Sequence, residues 1–225
     1  MKKDIEKDIF KPGPLYAKRF EIVNQIKSDM KSGDILYRYS DAKGPLGLPF
    51  TRMVADVTKS EYSHAAILFI DYGEPFVMEV NDEGTLQYRL LDWIDTCYGT
   101  TFSVFRLKDT YPGYFDKQKE AKLLTQVHMF LDKDPDYNFT FSDPNKFYCT
   151  QSVIHIYKQA LGVQLDSGYY LKDLMPSWKY ILLKIGNFFF SFFGTSLPFN
   201  EKLFFVGNEE RGMMASPYTR LVHKV

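Results

Sequence analysis

Cysteine is scarce in this chain of 225 residues, with only Cys97 and Cys149. Two thiols cannot supply the disulfide framework of a small secreted scaffold, and a reducing compartment fits better. Net charge is also missing: 28 basic residues balance 28 acidic ones. No overall field therefore draws the chain to a polyanion, and nucleic-acid binding gets no support. No apolar run reaches the ~20 residues of a membrane-spanning helix. The opening MKKDIEKDIFKPG places charges where a signal peptide has its apolar core, so no signal peptide is evident and a cytoplasmic location is expected. Histidine and cysteine do not fall at zinc spacing, and neither a metal nor another cofactor is expected. Repeats and low-complexity tracts are absent, while 45% hydrophobic content suffices for one substantial core.

What is present reads as mixed α and β. Leu15, Ile22, Val23, Ile26 and Met30 recur on one helical face, and Gly33 suits the stop, so residues 1–32 form an N-terminal helical arm. From Asp34 the texture changes to short runs rich in β-branched and aromatic residues: DILYRY, HAAILFI, PFVMEV, TLQYRLL and FSVFRL. Gly, Pro and Asp punctuate them, which predicts five strands, mostly antiparallel because the connections are short. Residues 50–60 suggest a helical turn. Leu123, Leu124, Val127, Phe130 and Leu131 predict a helix over 117–131, ended by Asp134-Pro135. Residues 137–141 suggest a sixth strand, and an apolar-periodic helix starts at Cys149.

That helix start carries the chemistry. A thiol at a helix N-terminus sits among unpaired N–H groups at the positive end of the macrodipole, which favours thiolate over thiol. Upstream lies EYSHAAILFIDYGEPFVMEV, with His64 and Glu79 on two strands around a tight turn. If Tyr72-Gly73 is a two-residue loop, Asp71 pairs with Glu74, Ala66 stands opposite Glu79 and His64 opposite Asn81, all on one face. His64 and Glu79 are then diagonal neighbours about 7–8 Å apart at the backbone, close enough for a side-chain hydrogen bond. A three-residue loop would put them on opposite faces. In the first register Glu79 orients the ring, His64 activates Cys149, and Asn81 shares the orienting role.

Taken singly, each residue has a plainer reading: Cys149 as a small buried hydrophobe, His64 as a half-buried histidine, Glu79 as a solvent-facing strand residue. Their conjunction makes the functional reading the sharper one. Cys97 reads as packing near the end of a short helix, His128 and His155 as ordinary helix residues, and His223 as part of a tail.

The order G-D-I, Y-S-H before an apolar strand, an acid within FVMEV, and Y-C opening a helix resembles the permuted NlpC-type papain-like cysteine hydrolases of the YiiX/YebB-like group. The resemblance runs from Gly33 to about Gly162 and includes LQYRLLDWI and DYNFTFSDPNKFYCTQSV. It implies an α+β, circularly permuted papain-like fold over residues 33–170, with a mostly antiparallel sheet or half-barrel packed on the cysteine-bearing helix. By the same resemblance Cys149 is the nucleophile, His64 the base and Glu79 the orienting acid, with Tyr137 near the cleft, where it is expected to help the Cys149 N–H at an oxyanion. Where the group reads C-S-E-L-V, this chain reads C-T-Q-S-V. Gln151 thus replaces a glutamate two residues from the thiol, a change able to alter substrate choice. The expected activity is hydrolysis or acyl transfer at an amide or ester of a peptide, aminoacyl or lipid-like substrate. Its competitor is a catalytically altered member that binds lipid or protein.

Residues 171–225 fall outside the resemblance and read as an aromatic-rich cap on the same domain. Within them, 178–193 (WKYILLKIGNFFFSFF) has an apolar helical face but is too short to span a bilayer. A core or cap helix is the plainer reading. Peripheral contact with a membrane, or a roof over an acyl-binding cleft, is the sharper one. The sequence does not set the oligomeric state.

Overall fold

A turn of two residues sets the register of the central sheet. In a computed structural model that describes residues 14–39, 55–81, 83–97, 102–110, 116–131, 133–136, 145–191 and 199–225, Tyr72 and Gly73 both take positive φ, 48° and 82°. Positive φ at both central positions is the type I′ geometry whose twist matches antiparallel strands. The hairpin joins β2 (His64–Asp71) to β3 (Glu74–Asn81), with Asp71 opposite Glu74 and Ala66 opposite Glu79. This is the two-residue register expected from the sequence.

Four further strands complete a fully antiparallel sheet in the order β4-β3-β2-β1-β5-β8. They are β1 (Ile35–Arg38), β4 (Gly84–Arg89), β5 (Phe102–Leu107) and β8 (Thr219–Lys224). The strand expected through TLQYRLL stops at Arg89, because Leu90, Trp93 and Ile94 bury together as a helical turn, α2 (Leu90–Asp95). β8 was not expected: residues read as tail and cap instead supply an edge strand, where His223 Nε2 lies 2.9 Å from Asp29 Oδ2. Residues 55–58 are helical, while 50–54 and the strand expected over 137–141 lie outside the described residues.

Each face of the sheet buries its own core. Ile35, Tyr37, Ala65, Ile67, Phe69, Met78 and Val80 face α3 (Lys117–Phe130) and α4 (Cys149–Leu161), which contribute Leu123, Val127, Val153, Ile156 and Tyr157. Leu36, Ala66, Leu68, Val77 and Val104 face α1 (Pro14–Lys27) and α2 through Val23, Ile26, Trp93 and the buried Cys97. A buried ion pair fastens the entry to β1, with Arg106 Nε 2.7 Å and Nη2 2.8 Å from the two oxygens of Asp34. The Tyr157 hydroxyl of α4 donates to the carbonyl of Gly33. The chain is thus α+β, with an antiparallel sheet between two helical layers.

A short parallel ladder, β6 (Asp134–Pro135) with β7 (Lys146–Phe147), leads into α4. Beyond α4 come α5 (Leu171–Leu174) and α6 (Ser177–Ser191). No helix among the described residues is long and apolar enough to cross a membrane.

Candidate active site

Cys149 is the first residue of α4, with Tyr148 in extended conformation (φ −109°, ψ 166°) as its N-cap. The helix lies on one face of the sheet, whereas His64 and Glu79 belong by strand parity to the other face, with Ala66 and Val77. They meet because His64 is the first residue of β2, so its ring sits at the end of the sheet, where the two faces are no longer separated. The ring and the Cys149 thiol are hydrogen-bonded there. His64 Nε2 lies 2.9 Å from Glu79 Oε2, which leaves Nδ1 as the nitrogen turned to the sulfur. The Ala65 and Thr150 backbone groups also hydrogen-bond the sulfur.

Glu79 is only 1% exposed, and a carboxylate removed from water must be fully partnered. Besides His64 it accepts from Arg38 Nη2, 3.1 Å from Oε1 and 3.0 Å from Oε2, and from Trp93 Nε1, 2.6 Å from Oε2. Arg38 is itself fixed: Nη1 donates to the Thr96 carbonyl at 3.0 Å, and its guanidinium lies 5.3 Å from the centre of the Trp93 ring. Burial works against the Glu79 anion, but His64, Arg38 and Trp93 outweigh it and hold the carboxyl down at about 2. Burial likewise disfavours a His64 cation, yet the sulfur and Glu79 raise the ring to about 9. The Cys149 thiol is pushed up by burial and pulled further down by His64, ending below its ordinary value. Lowered thiol and raised imidazole together favour the thiolate–imidazolium pair over neutral thiol and ring.

The structure therefore brings Cys149, His64 and Glu79 together and adds Arg38 and Trp93, to which the sequence reading gave no role. The available signal was the position of Arg38 at the end of GDILYR, directly opposite His64 in the β1–β2 register. Asn81 stands elsewhere: its amide donates to the Tyr88 hydroxyl at 3.0 Å and its oxygen accepts the Glu83 N–H at 2.8 Å. Those bonds serve the β3–β4 turn rather than the ring of His64. Gln151 is buried and caps α4, its Oε1 accepting the Tyr148 N–H at 3.3 Å. Tyr137 lies outside the described residues. Cys97 packs beneath α2 with its sulfur 3.6 Å from the Trp93 carbonyl, while His155 packs against Phe130 and Phe147.

Comparison with known proteins agrees with this arrangement of elements. A crystal structure described as metalloprotein yiiX from Escherichia coli O157:H7 superposes with a TM-score of 0.67 at 23% identity, covering 87% of this chain and 97% of that one. At that identity the likeness establishes the fold. In sequence, the protein YiiX of Escherichia coli (strain K12), described as uncharacterized, is 25% identical over 172 residues, 76% of this chain and 77% of its own length. The permuted papain-like amidase family, YaeF/YiiX, C92, matches residues 29–179, and the chain belongs to that family of cysteine hydrolases.

Proposed function

We propose that the protein cleaves or transfers the acyl group of an amide or ester through Cys149, with His64 as proton carrier and Glu79 as the acid that orients it. The observation that carries this reading is the hydrogen-bonded run from sulfur through imidazole to a carboxylate held ionised by that imidazole together with Arg38 and Trp93. The thiolate attacks the carbonyl carbon, forming the C–S bond as the C=O electrons move to oxygen. The Cys149 backbone N–H at the start of α4 holds that oxyanion. As the intermediate collapses, the bond to the leaving nitrogen or oxygen breaks and that atom takes a proton from His64. Water, or an acceptor amine, then attacks the thioester and gives its proton to His64, releasing the acyl product and restoring the thiolate.

The superposed yiiX structure is described as that of a metalloprotein. Among the described residues no group of three or more His, Cys, Asp and Glu side chains is gathered to hold a metal ion. Both oxygens of Glu79 face the Arg38 guanidinium, a cation where a metal would have to sit. The residues around Glu79 do not fit a resident metal, because the guanidinium takes the place beside its oxygens.

Covalent capture tests the reading. Peptide, acyl-amide and acyl-ester probes are incubated with the protein and with Cys149→Ala, and adducts are located by mass spectrometry. An acyl mass on Cys149, absent from the folded variant, is expected. Equal turnover by Cys149→Ala would reject the mechanism, and no capture by any probe class would favour the binding-module alternative.

A further inference from the structure

Among its described side chains, α6 turns four large apolar ones to solvent. Trp178 is 60% exposed, Ile181 56%, Leu182 59% and Ile185 53%, and positions i, i+3, i+4 and i+7 lie on one face. Tyr180, Leu183 and Asn187 are half-buried on the opposite face, where Tyr180 packs edge-on against Phe199 with ring centres 5.6 Å apart. The helix is thus attached to the protein by one side and presents a stripe of large hydrophobes on the other. At 3.6 residues per turn, Lys179 and Lys184 fall roughly 110° to either side of the stripe's centre. Both lysines run beside aromatic rings, Lys179 Nζ 5.5 Å from the centre of Trp178 and Lys184 Nζ 5.1 Å from that of Tyr180.

We propose that α6 is a peripheral membrane anchor that lies in the surface of an anionic phospholipid bilayer, with its Trp178–Ile185 stripe among the acyl chains and its two lysines at the phosphates. Three observations select this occupant. The charge is complementary, since no Asp or Glu occurs from Leu174 to Asn200 while Lys179 and Lys184 border the stripe. The geometry is interfacial, because flanking lysines at that angle reach back to headgroups while their stems follow the hydrophobes. The length also fits: 15 residues give about 22 Å, short of a ~30 Å span but suited to lying flat. A second copy of the chain fits poorly, because a two-fold pairing of this stripe would bring four lysines together without a carboxylate.

Such docking would hold the candidate active site near the lipid surface. Phe199, which packs on α6, is followed within five residues by Phe204, whose carbonyl accepts the Thr150 hydroxyl at 2.7 Å and whose N–H donates to the Tyr148 hydroxyl at 3.1 Å. Five residues reach at most about 17 Å, so the strap from the helix grips both neighbours of Cys149 over a short distance.

The test uses the full chain with vesicles of phosphatidylcholine alone, or of phosphatidylcholine with phosphatidylglycerol, read by flotation and by tryptophan emission. Trp93 is fully buried, so an emission shift reports on Trp178, the second of two tryptophans. The protein is expected to float with anionic vesicles, to show a blue shift there, and to bind neutral vesicles about tenfold more weakly. The triple variant Ile181→Ser, Leu182→Ser, Ile185→Ser, checked by circular dichroism and by unchanged alkylation of Cys149, should bind at least about tenfold more weakly than wild type. Wild type that stays off anionic vesicles, or a folded triple variant that binds as well as wild type, would overturn the proposal. Concentration-dependent dimerisation abolished by the same substitutions, without vesicle binding, would assign the stripe to a second copy instead.

Discussion

Arg38 Nη2 lies 3.1 and 3.0 Å from the two carboxylate oxygens of Glu79, with both side chains buried. The pair spans three strands: Arg38 ends β1, His64 stands opposite it on β2, and Glu79 extends from β3. The acid that orients the imidazole is therefore held ionised by the His64 ring first and, beside it, by a cation built into the sheet. An isolated carboxylate at that depth would protonate and turn from acceptor to donor.

Replacing Arg38 by Gln leaves buried Glu79 with the His64 ring as its remaining cationic partner and removes the guanidinium from both of its oxygens. Removing one partner of a buried pair costs about 3–5 kcal/mol, so the urea midpoint should fall accordingly. Arg38→Lys should recover only part of this, since an ammonium lacks the planar fork that serves Glu79 and Thr96 together. A loss below about 0.5 kcal/mol for Arg38→Gln would show that the guanidinium adds nothing to the charge held on Glu79 by His64.

Much of this was legible before any coordinates. Tyr72-Gly73 between two apolar runs named the turn, and strand parity then placed His64 beside Glu79. The Cys149 helix announced itself by an apolar period following a run of turn formers. Arg38 and Trp93 were not legible as partners of Glu79, because a single arginine ending a strand and a tryptophan in LLDWID carry no local sign of a shared contact. β8 was missed for a different reason: Thr219–Lys224 is an edge strand with most of its side chains at least partly exposed, so it lacks the alternation that marks a half-buried strand. Which face of α6 would be left open was also beyond the sequence, since a stripe of Ile, Leu and Trp at helical spacing ordinarily faces a core.

Cys149 and His64 titrate as a pair, and the sign of each arm can be worked out. His64, raised from 6.5 to about 9, contributes stability that is complete below pH 6.5 and lost as pH rises through 9. Cys149, whose thiol is lowered, contributes stability that is complete above its unfolded value of about 8.5 and lost as pH falls through the lowered one. The two slopes have opposite signs, so each offsets the other wherever both arms run. Between pH 6.5 and 8.5 the stability difference between wild type and a Cys149→Ala, His64→Ala double variant should therefore fall by less than the ~1.4 kcal/mol per pH unit that the His64 arm alone would give. A fall at that full single-group slope across the window would contradict the ion pair.

The hairpin that sets the register carries removable strain. Tyr72 is fully exposed at φ 48°, a region that asparagine tolerates better than an aromatic residue does. Tyr72→Asn should stabilise the protein by about 0.5–1 kcal/mol and raise Tm by roughly 2 °C in calorimetry. A lower Tm would mean that the turn is held by something other than its backbone geometry.

Gln151 accepts the Tyr148 N–H as a glutamate also would, so Gln151→Glu keeps this cap bond, while burial of its carboxylate should lower Tm in calorimetry. Its added negative charge, buried two residues from the thiolate, should move the pH profile of Cys149 alkylation to more alkaline values by about half a unit to one unit. An unchanged profile would show that the side chain at this position does not act on the sulfur.

Alkylation of Cys149 by iodoacetamide across pH 5 to 10, followed by mass spectrometry in wild type and in His64→Ala, tests the central claim most directly. The account predicts fast labelling already below neutrality in wild type, and in the variant a slow reaction that rises only near the ordinary thiol value of about 8.5. Superimposable profiles for the two proteins, both with midpoints near that value, would contradict it.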